Sequence, residues 1–220
     1  MQFTGIKAVL FDLDGTILDT AGDICAAACH AVAAAGLPPF RTEDFRSLIG
    51  YGIRSIYETI VPAGTPKDVM ERALAEHLRY YPEHCTEQTC FYPGAEELLE
   101  TLAARGILLA VITNKVEDTA VKIVRHYCAQ IPFREIWGNN GARPLKPDAQ
   151  VGEMACQALS VSPEQVLYLG DGDADMRFAR NVGFGAVGAA WGYRSRAVLV
   201  ENGAQVLLDK PMDLLGLLAE

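Results

Sequence analysis

Long apolar runs and basic residues are what this chain of 220 residues has least of. No stretch approaches the ~20 apolar residues of a membrane-spanning helix. The N-terminal apolar segment Ala8–Phe11 stops at Asp12, short also of a signal-peptide core, so a cytoplasmic protein with no membrane partner is expected. Lys and Arg number 19 against 28 Asp and Glu, a net charge of −9. That balance argues against nucleic acid or an anionic membrane as partner, because each needs a basic patch. An anionic small molecule stays open where a bound cation or a local lysine reverses the field. The six cysteines, Cys25, Cys29, Cys85, Cys90, Cys128 and Cys156, contain no C-x-x-C pair. They read as free thiols in a reducing compartment. His77, His84, Cys85 and Cys90 lie near one another in sequence, but their spacing fits no standard zinc pattern.

What is present is core material: 50% of residues are hydrophobic and 21% charged, enough for one large domain or one domain with an insertion. From residue 90 onward short apolar runs alternate with amphipathic stretches. The runs are Ile107–Ile112, Glu135–Trp137, Val166–Leu169, Gly185–Val187 and Val206–Leu208; helices are expected near 94–105, 116–128, 147–159, 173–181 and 194–202. Pro93 opens the first of these helices and Gly106 follows its end, as helix punctuation requires. Buried strands alternating with helices of about three turns imply parallel βαβ units. The expected architecture is α/β, a doubly wound, Rossmann-like parallel sheet to which Ile6–Phe11 adds a strand. Residues 19–87 break the alternation and read as helices only, over 20–35, 42–49, 53–60 and 67–81. The expected division is therefore a core of 1–18 and 88–220 carrying an inserted all-helical cap of 19–87.

In such sheets ligands bind beyond the carboxyl ends of the strands. The first strand ends in Asp12-Leu13-Asp14-Gly15-Thr16, the strand 107–112 in Thr113-Asn114-Lys115, and the strand 166–169 in Gly170-Asp171-Gly172-Asp173-Ala174-Asp175. Lys146 precedes a helix whose N-terminus faces the same edge. Carboxylates, a hydroxyl and one ammonium thus converge. That set suits a hard cation together with a phosphate, and Mg²⁺ takes such oxygen ligands. Two like charges about 4 Å apart repel by about 4 kcal/mol at an effective dielectric near 20. A phosphate beside Asp12 and Asp171 therefore needs compensation, which Mg²⁺ and Lys146 together supply.

The segments FDLDGT at 11–16, VITNK at 111–115, LKPD at 145–148 and YLGDGDADM at 168–176 resemble, in order and placement, the four motifs of the haloacid dehalogenase superfamily. The helical insertion between the first two resembles the phosphoglycolate-phosphatase-like branch. The resemblance covers nearly the whole chain. It implies that Asp12 is the nucleophile and becomes an aspartyl-phosphate, with Asp14 as general acid and then base. It implies that Thr113 and the Asn114 backbone hold phosphate oxygens and that Lys146 neutralises developing charge. Mg²⁺ would be held by Asp12, the Asp14 carbonyl oxygen and Asp171. Asp175 would lie nearby, as a neighbour of the metal or a further ligand, and Asp173 has no assigned role.

Other readings of the same residues are weaker. The acidic loop from Asp171 lacks the glycine and glutamate of an EF-hand, having Met176 and Val182 there. Gly183-Phe184-Gly185 enters a strand rather than leaving one, the reverse of a dinucleotide site. Asp14 argues against a dehalogenase. Lys67, the single lysine of residues 19–87, sits in a Thr-Pro-Lys-Asp loop ill suited to a phosphonatase Schiff base. A phosphomutase is a further alternative, although Thr16 leans toward a phosphatase. A non-catalytic sensor of Mg²⁺ or of a phosphorylated ligand is the reading from another class. The expected partner is a small phosphorylated metabolite. Arg54, after the loop 49–53, either forks onto a substrate carboxylate, which would suit 2-phosphoglycolate, or is a solvated helix residue. Pyrophosphate, sugar phosphates and nucleotides remain alternatives, and the sequence does not specify an oligomeric state.

Overall fold

The computed structural model describes residues 2–218. Strand β1 (Ala8–Phe11) leads through a two-residue strand β2 (Leu18–Asp19) into three helices, α1 (Ala21–Ala34), α2 (Ile53–Ile60) and α3 (Lys67–His84). A second short strand, β3 (Cys90–Phe91), closes this insertion. There follow α4 (Ala95–Ala104), β4 (Leu108–Val116), α5 (Glu117–Tyr127), β5 (Phe133–Asn139), α6 (Ala149–Leu159), β6 (Val166–Gly170), α7 (Asp173–Val182), β7 (Gly185–Ala189), α8 (Arg196–Glu201) and β8 (Val206–Leu208).

Side-chain alternation explains the layers. Val9 and Phe11 of β1 join one buried cluster, Ala8 and Leu10 the other, as the two-residue period of a strand requires. On the first face lie Leu98, Leu99 and Leu102 of α4 and Ile123 and Val124 of α5. On the second lie Val151 and Ala155 of α6, Met176 and Phe178 of α7, and Leu199 of α8. A strand buried on both sides belongs in mid-sheet, and β1 is central: the six parallel strands run β5-β4-β1-β6-β7-β8. The chain departs from β1 first to β4 and later to β6. That reversal opens a crevice at the carboxyl end of β1, where ligands bind in such sheets. The fold is the expected doubly wound α/β sheet.

The insertion has its own small core of Ala31, Val32, Tyr57, Ala73 and Leu74, and α1 packs mainly on α3. Two local expectations are corrected. Residues 42–49 form only a single 3₁₀ turn, Phe45–Leu48. Phe45 is its one buried anchor, and the Ser47 hydroxyl shares the Asp44 carbonyl with its own backbone N–H; a segment so short and so lightly anchored does not nucleate an α-helix. The junctions also hold strand where none was expected: β2 and β3 pair antiparallel, Leu18 with Phe91 and Asp19 with Cys90. Asp23 ties the same junction, accepting from the backbone N–H of Gln88 and Thr89 at 2.8 and 2.9 Å. Among the described residues no helix is long and apolar enough to cross a membrane.

Candidate active site

Parallel register brings the quoted motifs together. Phe11 pairs with Val111 on one side and with Leu169 on the other, so the residues following each strand emerge side by side. Asp12 is buried there and accepts from Lys146 Nζ at 2.8 Å. The same ammonium donates to Asp175 at 2.7 Å and to the Tyr168 hydroxyl at 2.8 Å. Lys146 is thus fully engaged inside the protein. Burial acts to lower its pKa, but the Asp12 and Asp175 carboxylates outweigh that and hold it above the ordinary lysine value.

Asp12, Asp171 and Asp175 each offer an oxygen within 4.8 Å of the others, and all three are buried. One ammonium does not balance them. Burial pushes the Asp12 carboxyl up to about 6, against the pull of Lys146. Burial also raises Asp171 well above the usual carboxylate range, with Asp175 and Asp12 adding to the effect. Asp171 has hydrogen bonds from the Tyr193 N–H at 2.6 Å and, at 3.5 Å, from the Thr16 hydroxyl, but no ammonium of its own. A buried all-oxygen cluster short of positive charge is what a hard divalent cation fits. The surroundings leave space for little else: a side chain at Gly15, whose φ is +83°, or at Gly192 would run into the Asp171 carboxylate.

Asp14 turns away from this cluster. Its carboxylate accepts from Lys115 Nζ at 2.9 and 3.1 Å and from the Thr20 hydroxyl at 2.6 Å. Lys115 was not singled out from the sequence, although it closes the VITNK segment two residues after Thr113 on the same strand, β4. Thr113 is buried, and its hydroxyl accepts from the Lys115 N–H at 3.3 Å. The Asn114 side chain has a use not anticipated. It accepts from the Lys146 N–H at 2.9 Å and donates to the carbonyls of Lys146 and Gly50, joining two core segments to the insertion's loop. Asp173 lies outside the acidic cluster. It pairs with Arg177 at 2.8 Å and accepts from the Tyr51 hydroxyl, while Arg194 donates to the Ile49 carbonyl at 2.7 Å. These contacts hold residues 49–51 down on the sheet edge.

A cavity of about 320 Å³ lies between the insertion and the sheet edge. Asp12, Asp14, Thr113, Asn114 and Lys115 form its floor, and Ile24, Ile49, Ile53, Ile56, His77 and Tyr81 are among its walls. Arg54 is not brought to it. The guanidinium forks onto Glu71 of α3 at 2.7 and 3.0 Å, on the exposed side of α2.

Residues 9–189 match the sequence model of the haloacid dehalogenase-like hydrolase family. The chain belongs to that family. Among its relatives, a phosphoglycolate phosphatase of Chromobacterium violaceum is 32% identical over 203 residues, covering 90% of this chain and 91% of the relative. An N-acetylmuramic acid 6-phosphate phosphatase of Pseudomonas aeruginosa is 31% identical over 219 residues, with 99% and 97% covered. The solved structure of a haloacid dehalogenase-like family hydrolase of Streptococcus pneumoniae superposes with a TM-score of 0.86 at 27% identity, covering 96% of this chain and 98% of that one. For a hydrolase of this family, the geometry puts one buried carboxylate beside a bound ammonium and a second carboxylate across the cavity floor.

Proposed function

We propose that this hydrolase is a Mg²⁺-dependent phosphatase that cleaves a small phosphomonoester through an aspartyl-phosphate on Asp12. The observation that carries the reading is the buried Asp12–Lys146 pair, 2.8 Å apart, set in an acidic cluster short of one divalent charge. The Asp12 oxygen attacks phosphorus as the bond to the leaving alcohol breaks. Asp14, held off the cluster by Lys115 and Thr20, delivers a proton to the departing oxygen and recovers one from the hydrolytic water. Thr113 and the Asn114 N–H hold the phosphoryl oxygens, and Lys146 neutralises their developing charge. Asp12 and Asp171, with the Asp14 carbonyl oxygen and Asp175 beside them, would hold Mg²⁺, which offsets the charge of the phosphate when bound.

Residues 19–87 act in this reading as a cap over the core of 1–18 and 88–220, opening to admit substrate and closing to exclude water. The relatives' names put 2-phosphoglycolate first among candidate substrates. Sugar phosphates are a second reading, supported by the volume of the cavity and by the name of the Pseudomonas aeruginosa relative. The acidic balance supports a role without a nucleic-acid partner, and the free cysteines support a reducing compartment such as the cytoplasm. The test is phosphate release from 2-phosphoglycolate, glucose 6-phosphate and phenyl phosphate, with Mg²⁺ or with EDTA. Release that needs Mg²⁺ and vanishes in Asp12→Asn supports the reading. Mg²⁺ binding without turnover of any substrate overturns it in favour of a sensor.

A further inference from the structure

Two residues of the cavity wall each carry a buried polar atom that has no partner among the described residues. Tyr81 Oη and His77 Nδ1 are buried without a hydrogen bond, and both residues line the cavity above Asp14 and Lys115. They stand four residues apart on α3, hence on one face, with ring centres 5.3 Å apart. A buried hydroxyl or imidazole nitrogen left unpaired is costly, and native proteins seldom carry such atoms without a reason. The location supplies one. Lys115 Nζ bonds Asp14 and also sits 4.7 Å from the centre of the Tyr81 ring. An alcohol departing toward Asp14 therefore has its next atoms beside Tyr81.

We infer that Tyr81 and His77 determine substrate choice by reading an oxygen of the leaving alcohol, Tyr81 Oη donating to it and His77 Nδ1 completing the contact. This rests on the phosphatase reading and extends it to the substrate's other end. The shared chemistry is an oxygen function close to the phosphoester, whether the carboxylate of a phosphorylated hydroxy acid or a ring or hydroxyl oxygen of a sugar phosphate. Burial, with a smaller push from Lys115, lowers the His77 pKa to about 3, so its ring is neutral near pH 7 and adds no charge to the cavity.

Tyr81→Phe removes only the orphaned oxygen. Tyr57→Phe is the matched control, since the Tyr57 hydroxyl is equally buried and unpartnered but its residue is not among those lining the cavity. The panel is 2-phosphoglycolate and glucose 6-phosphate, which carry such an oxygen, and phenyl phosphate, whose alcohol carries none. The expected result for Tyr81→Phe is a fall in kcat/KM of about 10- to 100-fold on the better oxygen-bearing substrate, through KM at least in part. Turnover of phenyl phosphate stays as in the parent, and the melting temperature is unchanged or higher. Which oxygen-bearing substrate loses more identifies the acid or the sugar. His77→Gln, which keeps a polar side chain but alters the contact, should show the same selective loss, and Tyr57→Phe should show none. An equal loss on phenyl phosphate, no loss on any substrate, or a parent preference for phenyl phosphate over both others would each overturn the inference. Absence of all turnover in the parent would instead overturn the phosphatase reading itself.

Discussion

The floor and the walls of the cavity are built on opposite principles. On the floor almost every polar atom is already paired: Lys146 bonds Asp12, Asp175 and Tyr168, and Asn114 bonds Lys146 and Gly50. On the wall facing it, the Tyr81 hydroxyl and His77 Nδ1 are unpaired. Groups that act on phosphate are needed in one geometry whatever the substrate, and pairing them in advance removes the cost of reorganisation. Groups that choose a substrate gain discrimination by being satisfied only when the right one is present. The floor descends from strand ends and the wall from inserted helices, so the two can change independently.

The most severe way to break the floor is Asp12→Asn, expected to lower phosphatase kcat on the order of a thousandfold or more. Asparagine retains the shape and removes the nucleophilic charge. A variant keeping more than a few per cent of the parent rate would show that another group attacks. Lys146→Met should come next and should damage stability as well as rate. It leaves the buried Asp12 and Asp175 carboxylates facing each other without their ammonium, a loss of about 3–5 kcal/mol by analogy with other broken buried pairs. Urea unfolding without added metal measures it. A midpoint close to the parent's would show that the pair is not what balances the cluster.

The floor was legible in the sequence because each of its parts is local. Asp12, Thr113 and Asp171 directly follow apolar runs of sequence, and parallel pairing brings strand ends together without knowledge of any side-chain contact. Even Lys115 left a signal, standing at the end of the VITNK segment beside Thr113 and Asn114, though its target, Asp14, lies 101 positions away. The wall was harder to read. His77 appeared beside His84 and Cys85 as part of an unconvincing metal pattern, whereas α3 turns it inward against Tyr57 and Tyr81. Which face of an inserted helix meets the core depends on how the whole insertion leans, and short-range periodicity does not encode that. The β2–β3 junction was missed for a related reason, since strands of two residues carry no alternation to detect.

A smaller effect sharpens the wall. His77 goes into the fold neutral, surrounded by Tyr57, Tyr81 and the Lys115 charge, its pKa lowered from 6.5 to about 3 by burial and secondarily by Lys115. The unfolded chain takes up this proton first as pH falls. His77 thus adds stability above about pH 6.5 that is lost progressively as pH falls toward about 3. Carboxylates titrate in the same window, so the informative quantity is the difference between the parent and His77→Gln. Melting temperatures measured across the window should draw together, or cross, as pH falls. A constant difference would mean that His77 is not held neutral.

The smallest expected effect tests where the wall ends. Arg54 is adjacent to Ile53, which lines the cavity, and carries the fork that would suit a substrate carboxylate. Yet helical geometry places neighbouring residues about 100° apart around the axis, so an inward Ile53 sends Arg54 outward. There it meets Glu71 in a two-pronged pair open to solvent. Exposed pairs of this kind contribute little, because water screens them and two long side chains lose freedom in forming them. Arg54→Ala should therefore leave both KM for 2-phosphoglycolate and the melting temperature close to the parent values. A selective rise in KM for 2-phosphoglycolate over phenyl phosphate would show the guanidinium leaving Glu71 and swinging inward when substrate binds. The cap would then contribute a charge to recognition, and the division between a charged floor and an uncharged wall would fail at this residue.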